Sequence, residues 1–387
     1  MSSLNRCFNI GDLKKKAKKR LPATMYHYMA GGADDEWSLR RNSSAFDDYQ
    51  LMPNQLNDVS KVDISTKVLG CDLSMPFFLS PTGMSRLFHH EKEFAVAKAA
   101  EKMGTLYSLS TMATTSIEDI GATIDSDKMF QIYIFKNREL TKEYVKRAKA
   151  SGYKALCLTV DTAIAGNRER DHYYGMGIPP KLTLKSMLSY MTHWQWAFNL
   201  LRNSDFKLAN VSHWDTSLSK GTMGLIQYVN SQFDASVTWD DVAWLVEQWD
   251  GPFVLKGSQS VLDAKKAVEA GCSAMMVSNH GGRQLDFAPA PIDCIAPIRD
   301  AIGDSLELIV DGGVRRGSDI VKALALGANA CSIGRPYLYG LAAGGQQGVE
   351  KVISILSNEV KRTTALLGCK SISEINKDHL IINNQIK

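Results

Sequence analysis

Eight short apolar or β-branched runs, alternating with helix-like stretches, constrain the fold of this chain more than any other feature. They fall at Pro76–Ser80, Thr105–Leu109, Phe130–Ile134, Ala155–Val160, Phe253–Leu255, Ala274–Val277, Leu306–Val310 and Ala330–Ile333. Between them Glu93–Met103, Leu140–Ser151, Ser260–Ala270 and Ser318–Leu326 read as helices, the second with Leu140, Tyr144, Val145 and Ala148 on one face. Gly104, Gly152, Gly271 and Gly327 stand where such helices end. Strand–helix alternation specifies a parallel sheet. Eight repeats specify an α/β fold of the closed (β/α)8 TIM-barrel type rather than an open doubly wound sheet. No Gly-x-Gly-x-x-Gly follows the first strand, which removes the main support for a dinucleotide-binding fold.

One interval breaks the rhythm. About 90 residues separate the fourth and fifth strands, far more than a helix and two loops need. Val237–Trp249 reads as the barrel helix there, with Ser236 as its N-cap, which leaves 172–235 as an insertion. Residues 1–70 form a leader with a basic helix at Ile10–Leu21 and a second at Ala23–Tyr28; the barrel proper spans 75–370 within one domain. The net charge of +4 is too mild for a nucleic-acid binder. Seven scattered cysteines without a Cys-x-x-Cys pair argue against disulfides or a zinc site and for a reducing compartment. The N-terminus lacks a signal-peptide core, and no uncharged apolar run reaches the roughly 18 residues of a membrane span. The expectation is a cytoplasmic chain without a metal.

In such barrels chemistry gathers at the C-terminal ends of the strands. The first strand is followed by Pro81-Thr82-Gly83, and the second by Ser110-Thr111. Gln131 and Tyr133 are read within the third, and Thr159-Val160-Asp161 closes the fourth. Lys256 ends the fifth, and Ser278-Asn279-His280-Gly281-Gly282-Arg283 follows the sixth. Asp311-Gly312-Gly313-Val314-Arg315-Arg316-Gly317 follows the seventh, and Gly334-Arg335 the eighth.

The last two loops suit a phosphate: glycines admit close backbone approach, Ser318 can cap a helix whose N-terminus attracts an anion, and Arg315 and Arg335 add charge-assisted bonds. His280 is a candidate base. Arg283, three residues on, can grip a carboxylate, and Asp161 can orient the imidazole. The alternative for Asp161 is helix capping. Lys256, aimed into the mouth, requires an anionic partner; a reduced flavin is one, and a Schiff-base role is the competing reading.

SNHGGRQLD (278–286) and DGGVRRG (311–317) carry a resemblance that extends from Leu21-Pro22 to Gly368-Cys369. The chain resembles the FMN-dependent 2-hydroxy-acid oxidoreductases, which include glycolate oxidase, L-lactate dehydrogenase and (S)-mandelate dehydrogenase. The resemblance implies FMN as cofactor and His280, supported by Asp161, as base. It implies that Tyr28, Arg168 and Arg283 hold the substrate carboxylate, and Tyr133 the hydroxyl or keto oxygen. Lys256 would lie against the flavin N1–C2 carbonyl edge. Thr82, Ser110, Gln131, Thr159 and Ser278 would bond the ring and ribityl groups, and Asp311, Gly313, Arg315, Gly334 and Arg335 the ribityl chain and phosphate. Gly83 and Met112 stand where the family's glycolate oxidases carry alanine and tryptophan, which favours L-lactate, then mandelate or a longer 2-hydroxy acid. The resemblance also implies a homotetramer.

Residues 183–203 combine Leu184, Met187, Leu188, Met191, Trp194, Trp196, Phe198, Leu200 and Leu201 with basic residues. The segment reads either as a lid over the barrel or as a membrane-surface segment. The membrane-associated lactate and mandelate dehydrogenases carry an insertion here with similar wording at Thr192-His193-Trp194-Gln195-Trp196, which implies peripheral association with the inner membrane and a quinone or respiratory-chain acceptor rather than oxygen. The run Lys14–Arg20 reads as a solvated helix face or an added attraction for anionic lipid.

Overall fold

The computed structural model describes residues 3–176, 189–202, 207–211 and 232–382. Eight parallel strands close into a barrel: β1 (Phe77–Thr82), β2 (Tyr107–Ser110), β3 (Lys128–Ile132), β4 (Ala155–Thr159), β5 (Phe253–Ser258), β6 (Ala274–Ser278), β7 (Glu307–Asp311) and β8 (Ala330–Ile333). Closure runs through β8 and β1, where Cys331 pairs with Phe77 and Ile333 with Leu79. The fold is the (β/α)8 barrel with N-terminal helices.

Strand side chains alternate between two faces, and both faces are buried here. One set, including Phe77, Leu79, Phe130, Ile132, Leu255 and Val277, packs with the surrounding helices. The other set, including Phe78, Met129, Cys157, Val254, Met276 and Ile309, fills the barrel interior. An antiparallel hairpin, Thr66–Val68 with Cys71–Leu73, closes the lower end by adding Val68, Leu69, Cys71 and Leu73 to this second cluster. Moving up the strands on the same parity, the interior positions become Ser80, Gln131, Thr159, Lys256, Ser278 and Asp311. The polar mouth is therefore the upper continuation of the apolar interior.

The leader contributes α1 (Ile10–Arg20), α2 (Ala23–Ala30) and α3 (Trp37–Ser44). Asn9 caps α1 by accepting from Asp12 N–H at 2.9 Å, and Ile10, Leu13 and Ala17 form its buried stripe. That stripe packs on the C-terminal helix Arg335–Leu366, which breaks at Gly344–Gly345. Leu380–Ile382 returns to pair antiparallel with Tyr49–Leu51.

Several boundaries differ from the sequence reading. Thr82 lies within its strand rather than beyond it, the fifth strand runs past Lys256 to Ser258, and Tyr133 lies one residue past β3 rather than inside it. The helix before β5 starts at Trp239 and is capped by Thr238, not Ser236. Asp241 supplies the reciprocal bond to Thr238 N–H at 2.9 Å, while the Ser236 hydroxyl is spent on Asp234 at 2.6 Å. Ser318 does not cap its helix either, because the helix Gly317–Ala325 already includes it. The backbone N–H groups of Arg315 and Arg316 donate to Asp319, and that of Gly317 to Glu359. This helix start is therefore occupied by the protein's own carboxylates.

Within the insertion, the helix Trp194–Arg202 docks by one side. Trp196 Nε1 donates to the Leu87 carbonyl at 2.9 Å, and the buried Arg86 reaches the Asn199 carbonyl at 3.0 Å. Leu184, Met187, Leu188 and the side chains of Leu200 and Leu201 lie outside the described residues. No helix among the described residues is long and apolar enough to cross a membrane.

Candidate active site

A cavity of about 340 Å³ opens at the C-terminal ends of the strands. It gathers Tyr28 from α2, Thr82 from β1 with Gly83 just past it, Ser110 from β2 with Met112 just past it, and Tyr133 and Arg168 from the loops after β3 and β4. Lys256, His280, Arg283, Asp311, Gly313, Arg315, Gly334 and Arg335 complete the wall. Four other predicted residues stand behind it. Asp161 backs His280, Ser278 bonds Lys256 at 3.0 Å, and Gln131 accepts from Ser110 at 2.9 Å. Thr159 lines an adjoining cavity of about 230 Å³ that shares Tyr133, Thr162 and Phe233 with the first.

The β6 loop turns sharply, with His280 at φ 57° followed by Gly281 and Gly282 at positive φ. This left-handed turn, which costs a non-glycine residue strain, carries the imidazole to the cavity wall. Its Nδ1 lies 2.9 Å from Asp161 Oδ1, which leaves Nε2 as the nitrogen available to the cavity. The leader braces the same loop. Asn42 and Asn279 exchange amide hydrogen bonds at 2.7 Å, Ala33 N–H donates to the Gly282 carbonyl, and Asp286 accepts from Trp37 and Ser38.

Lys256 and Asp311 form an ion pair at 2.8 Å, both buried. Asp311 also accepts from Ser80 at 2.6 Å and Ser278 at 2.7 Å. Burial works against the lysine's charge, but Asp311 and Asp161 outweigh it and raise its pKa above the ordinary value. Burial would likewise raise Asp311, yet the Lys256 charge and three hydrogen bonds hold its carboxyl down at about 2. The anion that Lys256 requires is thus supplied within the protein, and Asp311 is committed to that pair.

Arginines crowd the opposite part of the wall. Arg283 donates to the carbonyls of Tyr28 and Gly31, with its guanidinium 5.1 Å over the Tyr28 ring. Arg335 donates to Met29, Gly31 and Gly281. Burial, followed by repulsion from a neighbouring arginine, lowers the pKa of both. Carbonyls orient these groups without neutralising them, so the cavity is built for anions. Tyr133 is pushed above the ordinary tyrosine pKa by burial and then by Asp161, which keeps its hydroxyl neutral.

Three contributions went unread in the sequence. Asp171, buried with Oδ1 unpartnered, lies 3.6 Å from Arg168; its spacing of three residues on a short helix was the available signal. Glu93, fully buried, accepts from Ser85, Thr114 and Thr115 and so ties the β1 loop to the β2 loop. Gly83 does not open free space, because a Cβ there would sit 2.8 Å from the Met112 Cβ. The room that glycine leaves is filled by methionine.

The donor set fits FMN. The Thr159 hydroxyl is buried without a partner, two of the three Lys256 N–H donors are used by Ser278 and Asp311, and the arginines meet glycine-rich loops. A flavin phosphate and a substrate carboxylate together match the charge that the wall leaves uncompensated.

Comparison with known proteins agrees. The profile of the FMN-dependent dehydrogenases matches residues 17–382. A Mycobacterium tuberculosis protein provisionally named an L-lactate dehydrogenase is 42% identical over 378 residues, covering 97% of this chain and 90% of that protein. Glycolate oxidase of Spinacia oleracea is 40% identical over 372 residues, covering 96% and 95%. The crystal structure of (S)-mandelate dehydrogenase, described as a monotopic membrane protein, superposes with a TM-score of 0.93 at 37% identity, covering 97% of this chain and 100% of that one. With the likeness extending along the whole chain and the cavity furnished for a flavin and an acid anion, this protein belongs to the FMN-dependent dehydrogenase family, as an FMN-dependent oxidoreductase of 2-hydroxy acids.

Proposed function

We propose that the enzyme oxidises L-lactate to pyruvate and passes the electrons to a quinone or another respiratory acceptor. The observation that carries the chemistry is the His280–Asp161 pair at 2.9 Å, set on the cavity wall beside Arg168 and Arg283. Arg283, Arg168 and Tyr28 bind the substrate carboxylate, and Tyr133 donates its neutral hydroxyl to the C2 oxygen. His280 Nε2 takes the substrate proton, and Asp161 stabilises the resulting imidazolium through Nδ1. FMN, when bound, would supply the acceptor for the two electrons and the second hydrogen that a 2-hydroxy acid loses on becoming a 2-oxo acid. Lys256, its charge maintained by Asp311, would hold the flavin edge. Thr82, Ser110, Gln131, Thr159 and Ser278 hold the ring and ribityl groups, and Gly313, Arg315, Gly334 and Arg335 hold the phosphate end.

Met84, Met112, Met176 and Phe88 line the cavity with Gly83, and methionines adapt to side chains of different shape. This favours lactate, with (S)-mandelate or a longer acid as the second reading. Met191, Trp194 and Phe198 are 76%, 65% and 55% exposed, beyond the docked side of the insertion helix. Together with the exposed lysines of α1, they support docking on an anionic bilayer surface. Homotetramer assembly and a cytoplasmic-face location belong to the same proposal. The test is anaerobic bleaching of the yellow protein by a panel of 2-hydroxy acids, followed by reoxidation with a quinone analogue or with oxygen. Bleaching by L-lactate and faster reoxidation by the quinone are expected. No bleaching by any 2-hydroxy acid overturns the chemistry, and faster reoxidation by oxygen overturns the acceptor.

A further inference from the structure

Asp161 reaches His280 from a loop that has little of its own to hold it. Ala163, Ile164 and Ala165 are all exposed, and the loop bridges β4 to Arg168. One side chain spans it. Gln284 Nε2 donates to the Asp161 carbonyl at 2.6 Å and to the Ile164 carbonyl at 3.0 Å. Its Oε1 accepts from Gly166 N–H at 3.1 Å. All the hydrogen-bonding atoms of this amide are thus engaged with a single loop. The two segments also touch directly: a Cβ on Gly166 would lie 2.3 Å from the Arg283 carbonyl oxygen and 2.8 Å from the Gln284 Cα. On its other side the Asp161 side chain abuts Gly257, where a Cβ would meet Asp161 Cγ at 2.6 Å.

We propose that Gln284 is a positioning residue that fixes the Asp161 main chain, so that the carboxylate meets His280 Nδ1. The four-residue interval from His280 to Gln284 then lets one loop carry the base, the carboxylate grip at Arg283, and the tether for the base's partner. Bonding the carbonyl of Asp161 itself restrains the main-chain rotation that would shift the Cα from which its carboxylate projects. The proposal rests on His280 acting as the base.

The test uses the holoenzyme and the rate of anaerobic flavin bleaching in Gln284→Met, Asp161→Asn and the double variant. Methionine keeps the length of glutamine and loses all three bonds. The single Gln284→Met change should slow bleaching about 10–100-fold, as loosened outer-shell groups do, with KM and flavin content near the parent values. On the Asp161→Asn background the same change should cost less than about threefold, because its effect runs through Asp161. A parent-like rate in Gln284→Met, or losses that multiply in full, overturns the proposal. Gly166→Ala, which forces the loops apart from the other side, should show the same non-additivity and guards against misfolding of the first variant. His280→Gln measured alongside separates the two levels. Retained bleaching there sinks the base and this proposal with it, whereas lost bleaching together with additive Gln284 losses sinks the tether alone.

Discussion

Two contacts between a basic group and a carboxylate at the barrel mouth have nearly the same length and different surroundings. Asp161–His280, at 2.9 Å, joins the ends of β4 and β6; Lys256–Asp311, at 2.8 Å, joins β5 and β7. The histidine side chain is 27% exposed and the lysine 5%. In the first pair one ring nitrogen is committed and the other faces the cavity. In the second, both partners are enclosed by Ser80 and Ser278. An open pair can exchange a proton with a ligand, whereas a sealed pair holds a fixed charge. Distance alone does not distinguish a proton carrier from an electrostatic anchor; hydration and the uncommitted nitrogen do.

The comparison breaks if the two pairs respond alike to substitution. His280→Gln should give the largest effect, a loss of bleaching rate on the order of 10⁴-fold with flavin retained. Loss of the flavin instead would make the histidine structural. Lys256→Met should act on stability, because it strands a buried carboxylate: about 3–5 kcal/mol in urea unfolding of the flavin-free protein. A stability close to that of the parent would show that water enters the pair. Asp161→Asn should lower kcat on the order of 10²-fold with KM little changed, since the imidazolium loses its counter-charge while Arg283 remains.

The smallest expected effect is in acid. Asp311 is held at about 2, below the ordinary carboxylate value of 3.8, so its contribution is complete above about pH 5 and is lost as pH falls through about 2. The stability gap between the parent and Asp311→Asn should therefore be flat above about pH 5 and close by about 2 kcal/mol between about pH 5 and pH 1. A gap independent of pH across that window would show that the carboxylate is not the charged partner.

Much of this was legible in the linear chain. The eight runs mark the strands because a parallel barrel buries both faces of each, leaving apolar stretches that sequence displays directly. The strand-end residues were legible for the same reason, and the two-residue parity from Ala274 to Met276 to Ser278 would also have set their direction as far as the strand end. Caps were less visible. Ser236 and Thr238 are both good capping residues, and Asp234 decided between them by taking the Ser236 hydroxyl. Asp319 and Glu359 fill a helix start that looked free in sequence, because the second carboxylate arrives from 42 positions away.

By itself, then, the amino-acid order determined the barrel, the flavin-family motifs at β6 and β7, and the candidates for base, carboxylate grip and lysine, since each depends on local pattern and strand parity. Only tertiary structure decided which of them meet. Asp161 and His280 lie 119 positions apart and Asn42 and Asn279 lie 237, and barrel closure is what brings such residues within bonding distance. It also decided that Lys256 finds its counter-ion in Asp311, and that Met112 fills the space Gly83 leaves, because burial and steric contact are properties of the packed assembly rather than of any segment.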